Sequence, residues 1–249
     1  MSDSESRAGE ARLPMVRGLD LNADLGEGCP NDEALLRIVS SASVCCGAHA
    51  GGPDSVRATL SAALERGVIV GAHPGYPDRE TFGRRPRMVT ADDVECLIAE
   101  QVETLGRIAG ECGGSIRFLK PHGALYNQAQ REEEAARGVV ATARRLGLPL
   151  LGQPGTPLAA MAAEAGLAFI PEGFPDRRTR ADGSLVPRSE PGAVLHEPQD
   201  IEQQVVRLVE EGQVATICIH GDEPSAVANA ELVRRILKQR GVVVRSFLT

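Results

Sequence analysis

The stretch LDLNADLGEG, residues 19–28, decides how the chain is read. Leu19, Leu21, Ala23 and Leu25 share one parity, and Asp20, Asn22 and Asp24 share the other. Alternation of period two marks a β-strand. Asp and Asn are poor strand formers, so three in succession on one face need somewhere to point. A parallel strand covered by helices on both faces reads as a continuous apolar run, and residues 19–25 do not. In a barrel, one parity lies under the helices and the other faces the lumen. The pattern predicts Leu19, Leu21 and Leu25 under helices, with Asp20, Asn22 and Asp24 inside, toward the C-terminal mouth. An edge strand with one wet face is the alternative.

Seven more strand candidates follow: SVCCGA (43–48), VIVGAH (68–73), IRFLKP (116–121), LPLLGQ (148–153), LAFIPE (167–172), ATICIH (215–220) and VVVRSF (242–247). Helices with marked ends lie between them. Pro53 opens one that Gly67 closes, and Thr90 with Asp93 has capping-box spacing. Thr156-Pro157 starts another, and Pro224 precedes one that stops at Gly241. Such βα repetition argues for parallel units in an open sheet or a barrel. Residues 1–17 are polar and charged and read as a loosely ordered leader before one catalytic domain over 18–249.

Composition narrows the function. The chain has 249 residues, is 42% apolar and carries a net charge of −7, with 25 arginines but only Lys120 and Lys238 as lysines. An acidic chain without a basic stripe is a poor fit to nucleic acid or an anionic membrane. No apolar core follows a basic start as in a signal peptide, and no run reaches the ~18 residues of a transmembrane helix. Six cysteines without CxxC pairing read as reduced thiols, which points to the cytoplasm.

Four of the five histidines, His49, His73, His122 and His220, end strand candidates. Asp24 and Glu27 after the first strand, Lys120 on the fourth and Glu172 after the sixth add to them. In parallel βα folds the C-terminal strand ends are where sites are built. A structural role suits any single histidine; the set points to a site. Two long loops, 75–88 and 172–188, are rich in arginine, whose fork grips carboxylate or phosphate. Arg84, Arg85 and Arg177 are the candidates to hold an acidic substrate. No GxxxxGK[ST] phosphate loop occurs.

Taken together, DLNADLGEG, CGAHAG, GAHPGYPD, FGRR, KPHGALYN, Asp176-Arg177 and HGD at 220–222 resemble the 5-oxoprolinase A-subunit (LamB/YcsF, lactam-utilisation) family over about residues 18–249. The resemblance implies an α/β fold, a distorted (β/α) barrel of seven to eight parallel strands, related to carbohydrate deacetylases. It implies a part in the ATP-dependent opening of 5-oxoproline to glutamate, with ATP and Mg²⁺ handled by partner subunits B and C. Asp20, Asn22, Asp24, Glu27, His49, His73, Lys120, His122, His220 and Asp222 carry over as catalytic. Arg84, Arg85, Glu172, Asp176 and Arg177 carry over as substrate-binding. Ser43, Ala48, Gly52 and Thr179 depart from the family's pattern.

Such a reaction needs a base for water, a group to stabilise developing negative charge and an anchor for the substrate carboxylate. Asp24 or Asp20 is expected as base with His49 or His73 as partner, Lys120 and His122 as stabilisers, and Arg84 and Arg177 as clamps. The related deacetylases hold a divalent metal on one Asp and two His, and Asp24, His49 and His73 could do likewise. The metal-free reading is preferred. A metal-dependent amide hydrolase working without ATP, and a non-catalytic barrel binding an acidic small molecule, are the alternatives.

Overall fold

A computed structural model describes residues 18–180, 183–188 and 190–248; the leader expected over 1–17 lies outside the described residues. Strand β1 (Gly18–Leu25) lies at the centre. It pairs in parallel with β2 (Ser41–Cys45) on one side and β6 (Thr216–His220) on the other. Beyond these come β3 (Ile69–His73) next to β2, then β5 (Phe169–Gly173) and β4 (Leu150–Gly152) next to β6, giving the order β3-β2-β1-β6-β5-β4.

Residues 117–120 join the two ends. Arg117 N–H donates to Val70 O and Lys120 N–H to Ala72 O; on the other side Leu119 N–H donates to Pro149 O and its carbonyl accepts from Leu151 N–H. This segment stands where the strand 116–121 was expected, but only Leu119 forms bridges, one to Ala72 and one to Leu150. Pro121 has no N–H, so the ladder cannot run past Lys120. The strand expected over 242–247 shrinks to β7 (Val243–Val244), which pairs Gly18 and Leu19 and stays outside the ring. The fold is thus the distorted parallel barrel that the sequence predicts, with seven staves.

Eight helices wrap the ring among the described residues: α1 (Asp32–Leu35), α2 (Pro53–Glu65), α3 (Ala91–Glu111), α4 (Gly123–Ala129), α5 (Glu133–Leu146), α6 (Pro157–Glu164), α7 (Pro198–Glu211) and α8 (Ala226–Gln239). Their starts follow the expected chemistry. Pro53 opens α2, the Thr90 hydroxyl accepts from Asp93 N–H ahead of α3, and Thr156 caps α6. The outward parity of the strands, including Leu19, Leu21, Leu25, Val44, Val70 and Ile217, packs with Ile98, Leu105, Val139, Val205 and Val233 of the helices in one apolar cluster. Burying each large aliphatic side chain contributes about 1.5–3 kcal/mol. The main apolar core is therefore a layer between ring and helices, and the lumen is left for polar groups.

At the N-terminal end of the lumen Phe118 lies flat against Gly71 of β3, with Phe247 edge-on at 5.3 Å between ring centres. A carbon added at Gly71 would fall 2.1 Å from the Phe118 ring. Overpacking of this kind costs roughly 1–3 kcal/mol. Gly71→Ala is expected to lower the free energy of chemical unfolding by that amount, and an unchanged denaturation midpoint would contradict the packing.

Candidate active site

The lumen is built round Lys120, which is 2% exposed. Its Nζ lies 2.8 Å from Asp24 Oδ1, 2.9 Å from Glu172 Oε1 and 2.8 Å from Cys218 Sγ. Three hydrogens meet three acceptors, so the ammonium is fully used. Burial alone would strip its proton; the charge of Asp24, with that of Glu172, outweighs burial and holds its pKa well above the usual lysine range. Asp24 mirrors this: burial opposes ionisation, but His73 and Lys120 hold its carboxyl well below the ordinary range. Asn22 Nδ2 donates to the same Glu172 Oε1 at 2.9 Å. The polar parity of β1 therefore faces inward, as the alternation predicts.

The histidines stack above. His73 Nε2 lies 3.4 Å from Asp24 Oδ2 and 2.9 Å from His122 Nδ1. His122 lies parallel to His49 with ring centres 3.7 Å apart, and His49 Nε2 lies 3.2 Å from Glu27 Oε1. Burial, then His73, pushes the pKa of His49 down to about 3. Across the mouth His220 Nδ1 lies 2.8 Å from Asp176 Oδ2 and 3.0 Å from Oδ1, while Phe174 stacks on the ring. Asp176 is buried; burial opposes its ionisation, but His220 outweighs that and keeps its pKa low. An Nδ1–H held by a carboxylate leaves His220 Nε2 free as an acid or base.

These groups open into a cavity of about 590 Å³, bordered by Asp24, His73, Lys120, His122 and His220 and walled by Arg84, Arg131, Arg177 and Arg188. Arg84 is paired with Asp222, and Arg188 with Glu223 at 2.7 Å. Arg177 Nη2 donates to Val186 O, and its buried Nε has no hydrogen-bond partner among the described residues.

Several sequence-predicted residues stand elsewhere than expected. Asp20 lies on the floor, its oxygens taken by the hydroxyls of Ser40, Ser41 and Thr216, so it cannot reach a substrate as base. His49 is fully buried behind His122 and contacts Glu27, so the partner of Asp24 is His73. Glu172 is the counter-ion of Lys120 and Asp176 the support of His220; neither borders the cavity as a substrate ligand. Asp222 fixes Arg84 behind the wall, and Arg85 is exposed outside it. The Lys120 ammonium, expected to stabilise developing charge, is directed at Asp24, Glu172 and Cys218.

Among the described residues, two sets of side chains place ligand atoms within 4.8 Å of one another: Asp24, Cys218 and His220, and Glu27, His73 and His122. In the first, the Lys120 ammonium already contacts Asp24 and Cys218. Sequence reasoning missed Tyr126, Phe174, Arg131 and Arg188, all bordering the cavity. Tyr126 was legible, since it sits four residues after His122 at the start of α4 and so shares its face. Arg188 could not be told from other loop arginines.

Known proteins share this chain's sequence pattern and fold. The LamB/YcsF family model matches residues 19–249. A 5-oxoprolinase A subunit of Agrobacterium fabrum is 40% identical over 93% of this chain and 98% of that protein. The crystal structure of a lactam utilization protein from Thermus thermophilus is 36% identical, superposes with a TM-score of 0.84 and covers 92% of this chain and 100% of that one. The catalytic domain of a peptidoglycan N-acetylglucosamine deacetylase from Eubacterium rectale shares the fold at 12% identity and a TM-score of 0.56, covering 95% and 91%.

Asp20 supplies a test of the floor. Burial, against hydrogen bonds from Thr216, Ser40 and Ser41, raises its pKa from 3.8 to about 6. The folded chain thus keeps a proton that the unfolded chain releases. This contribution is full below pH 3.8 and is lost as pH rises to about 6, a change of roughly 3 kcal/mol. Asp20→Asn is expected to gain stability relative to the parent across that window. Urea unfolding at a series of pH values checks this, and two parallel curves would contradict it.

Proposed function

The chain belongs to the LamB/YcsF family, and from that premise we propose that it is the A subunit of a cytoplasmic, ATP-dependent 5-oxoprolinase, a hydrolase that opens 5-oxoproline to glutamate. Partner subunits B and C supply the ATP- and Mg²⁺-dependent activation, since no phosphate loop is present in this sequence. The observation that carries the reading is one cavity that combines an arginine wall with the Asp176-held His220. An arginine wall in a chain of net charge −7 suits an acid, and the volume leaves space for a phosphoryl group beside a five-membered ring.

A lactam resists water because its amide is resonance-stabilised, and its opened amine and carboxylate reclose readily. Phosphorylation of the amide oxygen removes both obstacles. His220 passes one proton from water to the ring nitrogen as the oxygen adds to the activated carbon, and then carries the remaining hydroxyl proton to the same nitrogen as the C–N bond breaks and the C=O forms. The product is an acyl phosphate. A second water cleaves it to glutamate and inorganic phosphate, which makes opening irreversible. Arg177 and Arg84 hold the carboxylate and the charge that develops on oxygen, and Asp176 keeps His220 in the productive tautomer. Asp24, held ionised by His73 and Lys120, places a negative charge close to His220.

The Glu27, His73 and His122 donors favour a metal-dependent amide hydrolase as second reading. One assay separates the two. The lone chain is expected to release no glutamate from 5-oxoproline, with or without ATP; adding subunits B and C with ATP and Mg²⁺ is expected to release glutamate and phosphate in step. Asp176→Asn and His220→Gln are expected to lower kcat by roughly 10²- to 10⁴-fold. Rapid hydrolysis by the lone chain without ATP would replace the proposal with the second reading, and unchanged turnover in both variants would remove the dyad from the chemistry.

A further inference from the structure

His73 and His122 meet in a way that two neutral imidazoles cannot satisfy. His73 Nδ1 lies 2.8 Å from Lys120 O, and His122 Nε2 lies 2.8 Å from Phe82 O. A backbone carbonyl only accepts, so both outer nitrogens carry hydrogen. In the neutral rings the inner nitrogens, His73 Nε2 and His122 Nδ1, are then both lone-pair acceptors, yet they are 2.9 Å apart. The contact needs a cation, either a proton or a metal ion.

The surroundings select the metal. Glu27 Oε1 lies 3.4 Å from His122 Nδ1, and Asp24 Oδ2 lies 3.4 Å from His73 Nε2. Two donors each about 2.1 Å from one ion, set roughly 90–110° apart, lie about 3.0–3.4 Å from one another. The three separations are close to that range. Both outer nitrogens are anchored on carbonyls, the arrangement that orients metal-bound imidazoles. All four side chains are buried. A shared proton would account for the nitrogen–nitrogen contact alone, whereas one metal ion also accounts for the two carboxylate oxygens set 3.4 Å from the same two nitrogens.

We infer that Glu27, His73 and His122, with Asp24 alongside, bind one divalent transition-metal ion of the zinc class. Two imidazole nitrogens with carboxylate oxygens suit zinc, manganese or cobalt better than calcium or magnesium. The set differs from the triad Asp24, His49 and His73 read from the sequence. Glu27 and His122 enter it, and His49 becomes a positioning residue that holds Glu27 at 3.2 Å and stacks on His122. At the edge of the cavity such an ion would act as a Lewis acid on a ligand oxygen. The site stands on its donors and is independent of the reaction assigned above.

The test is binding rather than turnover. The chelator-treated full chain is titrated with Zn²⁺ by calorimetry in two buffers of different ionisation heat, and its metal content is measured after gel filtration. One ion per chain is expected, with proton release, because the donors must be deprotonated. Glu27→Gln and His122→Gln are expected to weaken binding by more than roughly 100-fold, and His49→Gln by about 10- to 100-fold as an outer partner. His196→Gln, at an exposed position, is expected to bind as the parent does. Should a variant unfold, stoichiometry and proton release in the parent chain still decide. A parent chain that retains none of Zn²⁺, Mn²⁺ or Co²⁺, or Glu27→Gln and His122→Gln binding with parental affinity, would overturn the site.

Discussion

A single ammonium organises the lumen of this barrel. Lys120 projects from the stave that closes the ring, and it meets Asp24 of β1, Glu172 of β5 and Cys218 of β6. Three strands far apart in sequence are thereby tied at one atom. A carboxylate buried alone is expensive, and two facing each other cost more. With Lys120 between them they persist beside the Asn22 amide and the Cys218 thiol. Everything nearer the mouth depends on this arrangement, because Asp24 is the carboxylate on which His73 rests.

Charge is layered along the axis. On the floor Asp20 is surrounded by hydroxyls, and its raised pKa shows how far burial outweighs them. The middle layer holds the Lys120 network. Above it the imidazoles and Glu27 form a buried cluster, and outermost stand the arginines. Two of those arginines, Arg84 and Arg188, are themselves paired with Asp222 and Glu223, so the cavity wall carries both signs of charge.

Much of this was legible in the sequence, and for a definite reason. Strand parity is strict, so Asp20, Asn22 and Asp24 had to share a face once Leu19, Leu21 and Leu25 were buried. Strand ends gather at one mouth, so four histidines at strand ends announced a site. Depth along the axis was not legible. Asp20 and Asp24 stand four residues apart along β1, which puts one on the floor and the other at the cavity, and the sequence carries no mark of that. Pairings were hidden too. Glu172 and Asp176 look like substrate ligands until Lys120 and His220 are seen beside them. Nor could spacing reveal that His122, 49 residues from His73, would meet it nitrogen to nitrogen while His49 withdrew behind. The strand read over 116–121 marked the right place in the ring but overstated its regularity, because pairing with two edges at one residue leaves no periodic signal.

The most direct measurement of whether Lys120 organises the lumen is equilibrium unfolding of Lys120→Met beside Lys120→Met combined with Glu172→Gln. Removing the ammonium alone leaves two buried carboxylates without their cation and is expected to cost about 3–5 kcal/mol. Neutralising Glu172 in the same chain is expected to restore part of that loss, because one of the stranded charges is gone. A Lys120→Met chain as stable as the parent, or a second substitution that only adds to the damage, would contradict the central role given to this ion pair.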